Sequence, residues 1–219
     1  VVKTCETLRK KICERGAEYL GCSPDDVEFD GEKVVNLKTK EEITRKEIGN
    51  KVMCSSNAPL SATEAFSSPV SPPPFMVGIA EVEIDKETGV VEPIDYAAVV
   101  DCGTVVNPNL ARVQTEGGIA QGIGMALYED IIYSEKGKNY SNSFMQYKIP
   151  SRLDVGEIRV EFESSYEPTG PFGAKSIGEI VINTPSPAIS NAVQNAVGVI
   201  VRELPITAEK VYKGMAEKE

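Results

Sequence analysis

The stretch Phe172-Gly173-Ala174-Lys175-Ser176-Ile177-Gly178-Glu179 places one carboxylate at the end of a glycine-flexed loop, and Glu179 is the side chain with the clearest potential for proton chemistry. A carboxylate on a loop held between rigid elements is a common position for a general base. The plain alternative is a solvated loop glutamate. The sequence contains no histidine, which removes Ser-His-Asp and Cys-His nucleophile arrangements and the commonest ligand for zinc, copper and non-haem iron. Any general base must then be a carboxylate, a lysine, a tyrosine or a cysteine, which raises the standing of Glu179.

A second unusual stretch precedes it, Glu116-Gly117-Gly118-Ile119-Ala120-Gln121-Gly122-Ile123-Gly124-Met125-Ala126-Leu127-Tyr128-Glu129. Each glycine inside a helix costs about 1 kcal/mol relative to alanine, so something must approach the backbone closely enough to offset four of them within 117–124. Another helix packing on the small face would do so. A ligand lying against Gly122, with the Gln121 amide offering a donor and an acceptor, would do so equally.

Two phosphate motifs fail on spacing. Gly170-Pro171-Phe172-Gly173-Ala174-Lys175-Ser176 has Ala174 where a P-loop requires glycine before the lysine, and Gly118 to Gly124 lies inside a helical pattern without the G-x-G-x-x-G spacing. Glu157, Glu161 and Glu163 alternate with Ile158, Val160 and Phe162, so that acidic row reads as the solvated face of a strand and not as a catalytic pair.

Taken in order, Val99-Val100-Asp101-Cys102-Gly103-Thr104-Val105-Val106-Asn107-Pro108, Gln114-Thr115-Glu116-Gly117, Gln121-Gly122-Ile123-Gly124, Tyr147-Lys148-Ile149-Pro150 and Gly173-Ala174-Lys175-Ser176-Ile177-Gly178-Glu179 resemble the C-terminal part of the large, molybdopterin-binding subunit of the xanthine dehydrogenase and aldehyde oxidase family. The match covers most of the chain, and Leu204-Pro205-Ile206-Thr207 resembles the family's closing segment. The resemblance implies a molybdenum hydroxylase, an oxidoreductase that inserts water-derived oxygen into a carbon of an N-heterocycle or an aldehyde. It implies Glu179 as general base, Gln121 and Gly122 beside the cofactor near the metal, and the backbone at Lys175, Ser176 and Ile177 against the pterin. No side chain of this chain is expected to bind the metal itself. The implied cofactor is molybdopterin, in the plain or cytosine dinucleotide form, with iron-sulfur clusters and FAD on partner domains or subunits. The implied partners are the N-terminal half of the same subunit, those redox modules and a small-molecule substrate. Two other classes remain open: a non-catalytic scaffold or interaction domain that keeps the fold, and a nucleotide-binding domain that uses the glycines.

The 219 residues are 41% hydrophobic and 26% charged, a composition that buries roughly 70% of the unfolded surface and suits one sizeable domain or two joined lobes. The net charge of -10, with Lys and Arg interleaved among acids, argues against nucleic acid. No segment approaches the ~20 apolar residues of a membrane span, and the N-terminus lacks a signal-peptide pattern. Cys5, Cys13, Cys22, Cys54 and Cys102 are odd in number and never spaced C-x-x-C, against a disulfide scaffold, a zinc ribbon or a cysteine-ligated cluster. A cytoplasmic location is expected. The chain starts at Val1 without a Met, which favours an excised C-terminal piece over a separately encoded subunit.

The elements that must position these residues are mixed, predicting an α+β domain over 1–219. A helix is expected from Val2 to Leu20, with Cys5, Leu8, Ile12 and Tyr19 on one face and Gly21 ending it. A hairpin turns at Asp30-Gly31 between Val27–Phe29 and Lys33–Leu37. Thr39-Lys40-Glu41-Glu42 reads as a capping box opening a helix to Val52. Residues 55–74, rich in Ser, Pro and Ala, read as a connection and the one internal boundary. Phe75–Asp85 and Val90–Val100 pair through Lys86-Glu87-Thr88-Gly89, and the glycine-bearing helix opens at Asn107-Pro108 and runs to Leu127. A further hairpin is expected from Ile131–Tyr133 to Asn139–Tyr147, a strand at Ile158–Ser164, and helices from Ser186-Pro187 and Thr207, the first burying Ala188, Ala192, Val193, Ala196, Val199 and Ile200.

Overall fold

The computed structural model describes residues 1–55 and 59–217, in two compact units, Val1–Pro69 and Val70–Glu219. The division falls inside the 55–74 stretch, of which residues 56–58 lie outside the described residues. The observed helices and strands make an α+β architecture in which the site elements belong to the second unit.

In the first unit, helix α1 (Val2–Leu20) ends at Gly21, whose φ of 67° closes the last turn. It packs on a three-stranded antiparallel sheet of β1 (Val27–Phe29), β2 (Lys33–Asn36) and β3 (Glu42–Thr44). Gly16 admits this contact, because a Cβ there would lie 2.7 Å from Val34. Ile12, Phe29, Val34, Ile43, Ile48 and Val52 form the core, while Cys5, expected on the buried face, is exposed.

The expected capping box is displaced. Thr39 and Lys40 belong to the β2–β3 turn, where the Asn36 side chain accepts from the N–H groups of Lys38 and Thr39 and Lys40 has φ 66°. Helix α2 (Arg45–Met53) is capped instead by Thr44, with Glu47 completing a reciprocal box. The same Thr-x-x-Glu chemistry occurs twice within nine residues, and burial of Ile43 on a strand decides between them.

In the second unit, β4 (Phe75–Ile84) and β5 (Val91–Asp101) are antiparallel, and β6 (Glu157–Glu163) lies parallel to β5. Helices α3 (Pro108–Leu127), α4 (Pro185–Val197) and α5 (Ala208–Ala216) accompany this sheet. Tyr96, Ala98, Ile119, Ile123, Ala126, Ile189, Val193, Ile206 and Val211 are the centre of its core. Gly78 leaves room for the Tyr96 ring, which donates a 2.8 Å hydrogen bond from its hydroxyl to Thr184 Oγ1 immediately before α4. The acidic row of β6 is exposed, and Arg159 pairs with Asp95 on β5.

Two further expectations change in detail. Between 131 and 147 the pairing is confined to a bridge between Tyr133 and Asn139, and residues 143–147 close as a turn in which Ser143 O accepts from Gln146 and Tyr147 N–H. Helix α4 starts at Pro185 with Thr184 as its N-cap, so Ser186 is not the cap. Gly198, at φ 72°, ends it, leaving Ala196 and Ile200 exposed while Ile189 takes the central core position.

Candidate functional site

The loop that carries Glu179 is fastened by its first half. Residues 173–175 run antiparallel to 102–104: Thr104 N–H donates to Gly173 O at 2.8 Å, and Lys175 N–H donates to Cys102 O at 2.7 Å. Each strand of this clasp carries one glycine at positive φ, Gly103 and Gly173. Gly103 has φ 69°, and a Cβ there would sit 2.3 Å from Gly173 O. Phe172, immediately before Gly173, is an exposed non-glycine residue at φ 55°, a conformation costing about 1–2 kcal/mol that only a well-fastened surrounding maintains.

Beside the backbone clasp lies an ion pair. Lys175 Nζ donates to Asp101 Oδ2 at 2.7 Å, with side-chain exposures of 8% and 21%, and stands 5.5 Å from the Phe75 ring centroid. Asp101 also accepts at Oδ1 from Ser165 Oγ at 2.6 Å and from Gly103 N–H at 2.9 Å. Burial pushes the Asp101 carboxyl up, but the Lys175, Ser165 and Gly103 hydrogen bonds outweigh it and hold it at about 2. Neighbouring Cys102 is buried, and its thiol is pushed up by desolvation. The Lys175 ammonium therefore faces a carboxylate of its own chain, in keeping with rejection of the P-loop motif.

Beyond Lys175 the chain is differently disposed. Ser176, Gly178 and Glu179 are exposed. Among the described residues the N–H groups of Ser176, Ile177, Gly178 and Glu179 make no hydrogen bond, and the Glu179 carboxylate has neither hydrogen-bond nor ion-pair partner. From Gly178 the turn passes alongside α3. A Cβ on Gly118 would meet Val181 at 2.2 Å, and one on Gly122 would meet Pro185 at 2.6 Å and Ile182 O at 3.0 Å. Packing therefore accounts for these two glycines, and Gly122 is buried under the Pro185 ring. Around Gly117, by contrast, no described atom outside the adjoining helix backbone lies within 4 Å of an added Cβ. Gln121, one residue before Gly122, is exposed and presents its amide on the outer side of α3.

The expected site residues are thus gathered onto two touching elements, α3 and the 173–185 segment, whose surface is open. Lys175 and Ile177 line a cavity of about 230 Å³ with Cys102, Val106, Leu110 and Gln114, while Gln121 and Glu179 lie outside it. Asp101 is the residue whose role sequence reasoning missed. It stands inside a motif already noticed, but its partners are Ser165 and Lys175, 64 and 74 residues away, and no local pattern announces such a pairing.

Comparison with known proteins shows the family. Residues 1–156 match the molybdopterin cofactor-binding domain family. The chain belongs to that family, as a segment of the molybdenum-binding subunit found in the xanthine dehydrogenase and aldehyde oxidase group. It is 35% identical over 215 residues to the probable hypoxanthine oxidase XdhD of Escherichia coli K12, covering 96% of this chain and 22% of that protein. It is 31% identical over 219 residues to the 6-hydroxypseudooxynicotine dehydrogenase complex subunit gamma of Paenarthrobacter nicotinovorans, covering 96% of this chain and 28% of that one. The crystal structure of quinoline 2-oxidoreductase from Pseudomonas putida 86 superposes with a TM-score of 0.75 at 27% identity, over 97% of this chain and 28% of the other. The 173–179 loop lies beyond the family match, but these chain-long similarities extend over it. The chain spans less than a third of the length of these relatives.

Proposed function

We propose that this chain supplies one wall of the cofactor and substrate site of a molybdenum hydroxylase, with Glu179 as the general base. The observation that carries the proposal is the contrast within one loop. Its first half is clasped to the end of β5, and its second half presents N–H donors and a carboxylate that have no partner among the described residues. That donor set suits a polar, hydrogen-bond-accepting cofactor. The N–H groups of Ser176 and Ile177 and the amide of Gln121 would hold molybdopterin, in the plain or cytosine dinucleotide form, whereas Gly122 would act by letting Pro185 seat the turn. Among the described residues no group of three or more Cys, Asp or Glu side chains is placed to hold a metal, so the metal would arrive on its cofactor. Bound there, the cofactor would take up the electrons of the oxidation.

Glu179 then removes a proton from the attacking water-derived oxygen as that oxygen approaches the substrate carbon. A positioned base contributes about 10² to 10⁴-fold, and an apolar heterocycle or aldehyde packed beside the exposed loop would desolvate the carboxylate and strengthen it as a base. The relatives named as hypoxanthine oxidase and quinoline oxidoreductase favour an N-heterocycle as substrate. The remaining wall would come from the N-terminal half of the subunit, and electrons would leave through iron-sulfur and flavin partners. Among the described residues no helix is long and apolar enough to cross a membrane.

Metal and pterin analysis of the assembled enzyme tests the cofactor assignment. Gln121→Leu and Ser176→Pro should each lower molybdenum and pterin content together, leaving the fold of this chain intact by circular dichroism. Full cofactor content in both variants would remove these two contacts from the cofactor site, and a parent assembly without molybdenum and pterin would favour a scaffold that has kept the fold without the site.

A further inference from the structure

The partly buried Lys175–Asp101 pair is used by none of the chemistry above, although it adjoins the functional loop. A cation placed at 8% exposure is costly unless it is paired, and here it is enclosed by one carboxylate and one aromatic ring. Asp101 is the last residue of β5, and its two oxygens reach three separate places: the 173–179 loop through Lys175, the segment after β6 through Ser165, and the Gly103 turn. Lys175 also supplies one of the clasp's backbone bonds, so its main chain and its side chain bind the same end of β5. Glu179 is four residues further on. Among the described residues the Ser176–Glu179 N–H groups make no hydrogen bonds. On its far side Glu179 is held by Asn183 Nδ2, which donates to Glu179 O at 3.1 Å, and by Val181 packed against Gly118, so Lys175 is the last fastening on the near side of the carboxylate.

We propose that Asp101 and Lys175 are positioning residues: their ion pair latches the 173–179 loop onto the end of β5 and thereby fixes the approach of Glu179 to the reacting atoms. The latch claim rests on Glu179 being the base, but it makes a separate structural demand. The backbone clasp supplies two hydrogen bonds between this loop and the segment that follows β5. The pair adds a charge-assisted contact in a poorly hydrated place, where such contacts are strong. A misplacement of the base by a fraction of an ångström to 1 Å slows a reaction without changing how substrate binds.

The test uses the assembled enzyme with Lys175→Met, Asp101→Asn, the double variant and Ser165→Ala, read by amide hydrogen exchange at positions 104 and 175 and by kcat and KM per bound molybdenum. Loss of the pair should speed exchange at both amides by about tenfold, and lower kcat per molybdenum by about tenfold with KM within about twofold. The double variant should be no worse than the poorer single one, because one interaction is being removed. Ser165→Ala keeps the pair and loosens Asp101, so a smaller acceleration of the same amides is expected, and it decides the matter if the other variants fail to assemble. Unchanged exchange in these variants would overturn the latch. Parental kcat per molybdenum alongside reduced melting temperature would also overturn it, showing a purely structural pair. Glu179→Gln, measured in parallel, separates the two claims: a slow Glu179→Gln with a parental Lys175→Met refutes the latch alone, and a fully active Glu179→Gln refutes the base and with it the positioning role.

Discussion

Replacing Gly117 and Gly122 of α3 by alanine, one at a time, should move stability in opposite directions. Each substitution gains the same helix propensity, about 0.8–1.0 kcal/mol. At Gly117 the new methyl group meets, outside the adjoining helix backbone, no described atom within 4 Å, so the gain stands and Gly117→Ala should be more stable by about that amount. At Gly122 the methyl group would lie 2.6 and 2.9 Å from the Pro185 ring and 3.0 Å from Ile182 O. A proline ring at the start of a helix and a backbone carbonyl cannot step aside as a flexible side chain does, so overpacking of about 1–3 kcal/mol is expected there. Propensity cancels in the comparison, and the two variants should differ by the overpacking alone, about 1–3 kcal/mol. At about 2–4 °C per kcal/mol for a protein of this size, Gly117→Ala should melt roughly 2–12 °C above Gly122→Ala. Thermal unfolding of the purified chain followed by circular dichroism measures this directly. If Gly122→Ala melts together with or above Gly117→Ala, the α3–Pro185 contact is not what requires glycine, and a ligand regains its place as the explanation.

Two further outcomes follow from the same contacts. Tyr96→Phe removes the hydroxyl that donates to Thr184 and should destabilise the chain by about 0.5–1.5 kcal/mol in urea unfolding, with little change in m-value. For Asp101 the folded carboxyl lies at about 2 against an ordinary 3.8. A depressed carboxylate contributes stability above its unfolded value and loses it as the pH falls through the folded one, so chain stability should drop between these two values, and Asp101→Asn should flatten that acid limb in pH-dependent urea titrations.

Much of this was legible in the sequence because it rests on local rules. Gly21 and Asn107-Pro108 mark helix ends by chemistry that acts within a turn, and the β4–β5 pair is joined by a short polar loop. The misplaced cap at Thr39 shows the limit of such rules, since Thr44 offers the same hydrogen bonds and only the burial of Ile43 chooses. The parallel pairing of β6 with β5 is a long-range choice that alternation cannot report. At the candidate site, Glu179 and Gln121 can be proposed from residue type and local surroundings alone. The packing partner of Gly122 and the Ser165 and Lys175 contacts of Asp101 cannot, because each depends on residues 60 or more positions distant.

The central claim is that Glu179 is the proton acceptor of the reaction. Glu179→Gln keeps size and hydrogen-bonding capacity and removes only the basic group, and the parent carboxylate has no partner among the described residues whose loss would disturb the fold. The measurement is anaerobic reduction of the assembled enzyme by substrate, followed by stopped-flow absorbance with molybdenum and pterin analysis of the same preparation. Reduction should slow by at least ~10²-fold at near-normal cofactor content. Reduction at close to the parental rate with full cofactor content would remove Glu179 from the mechanism.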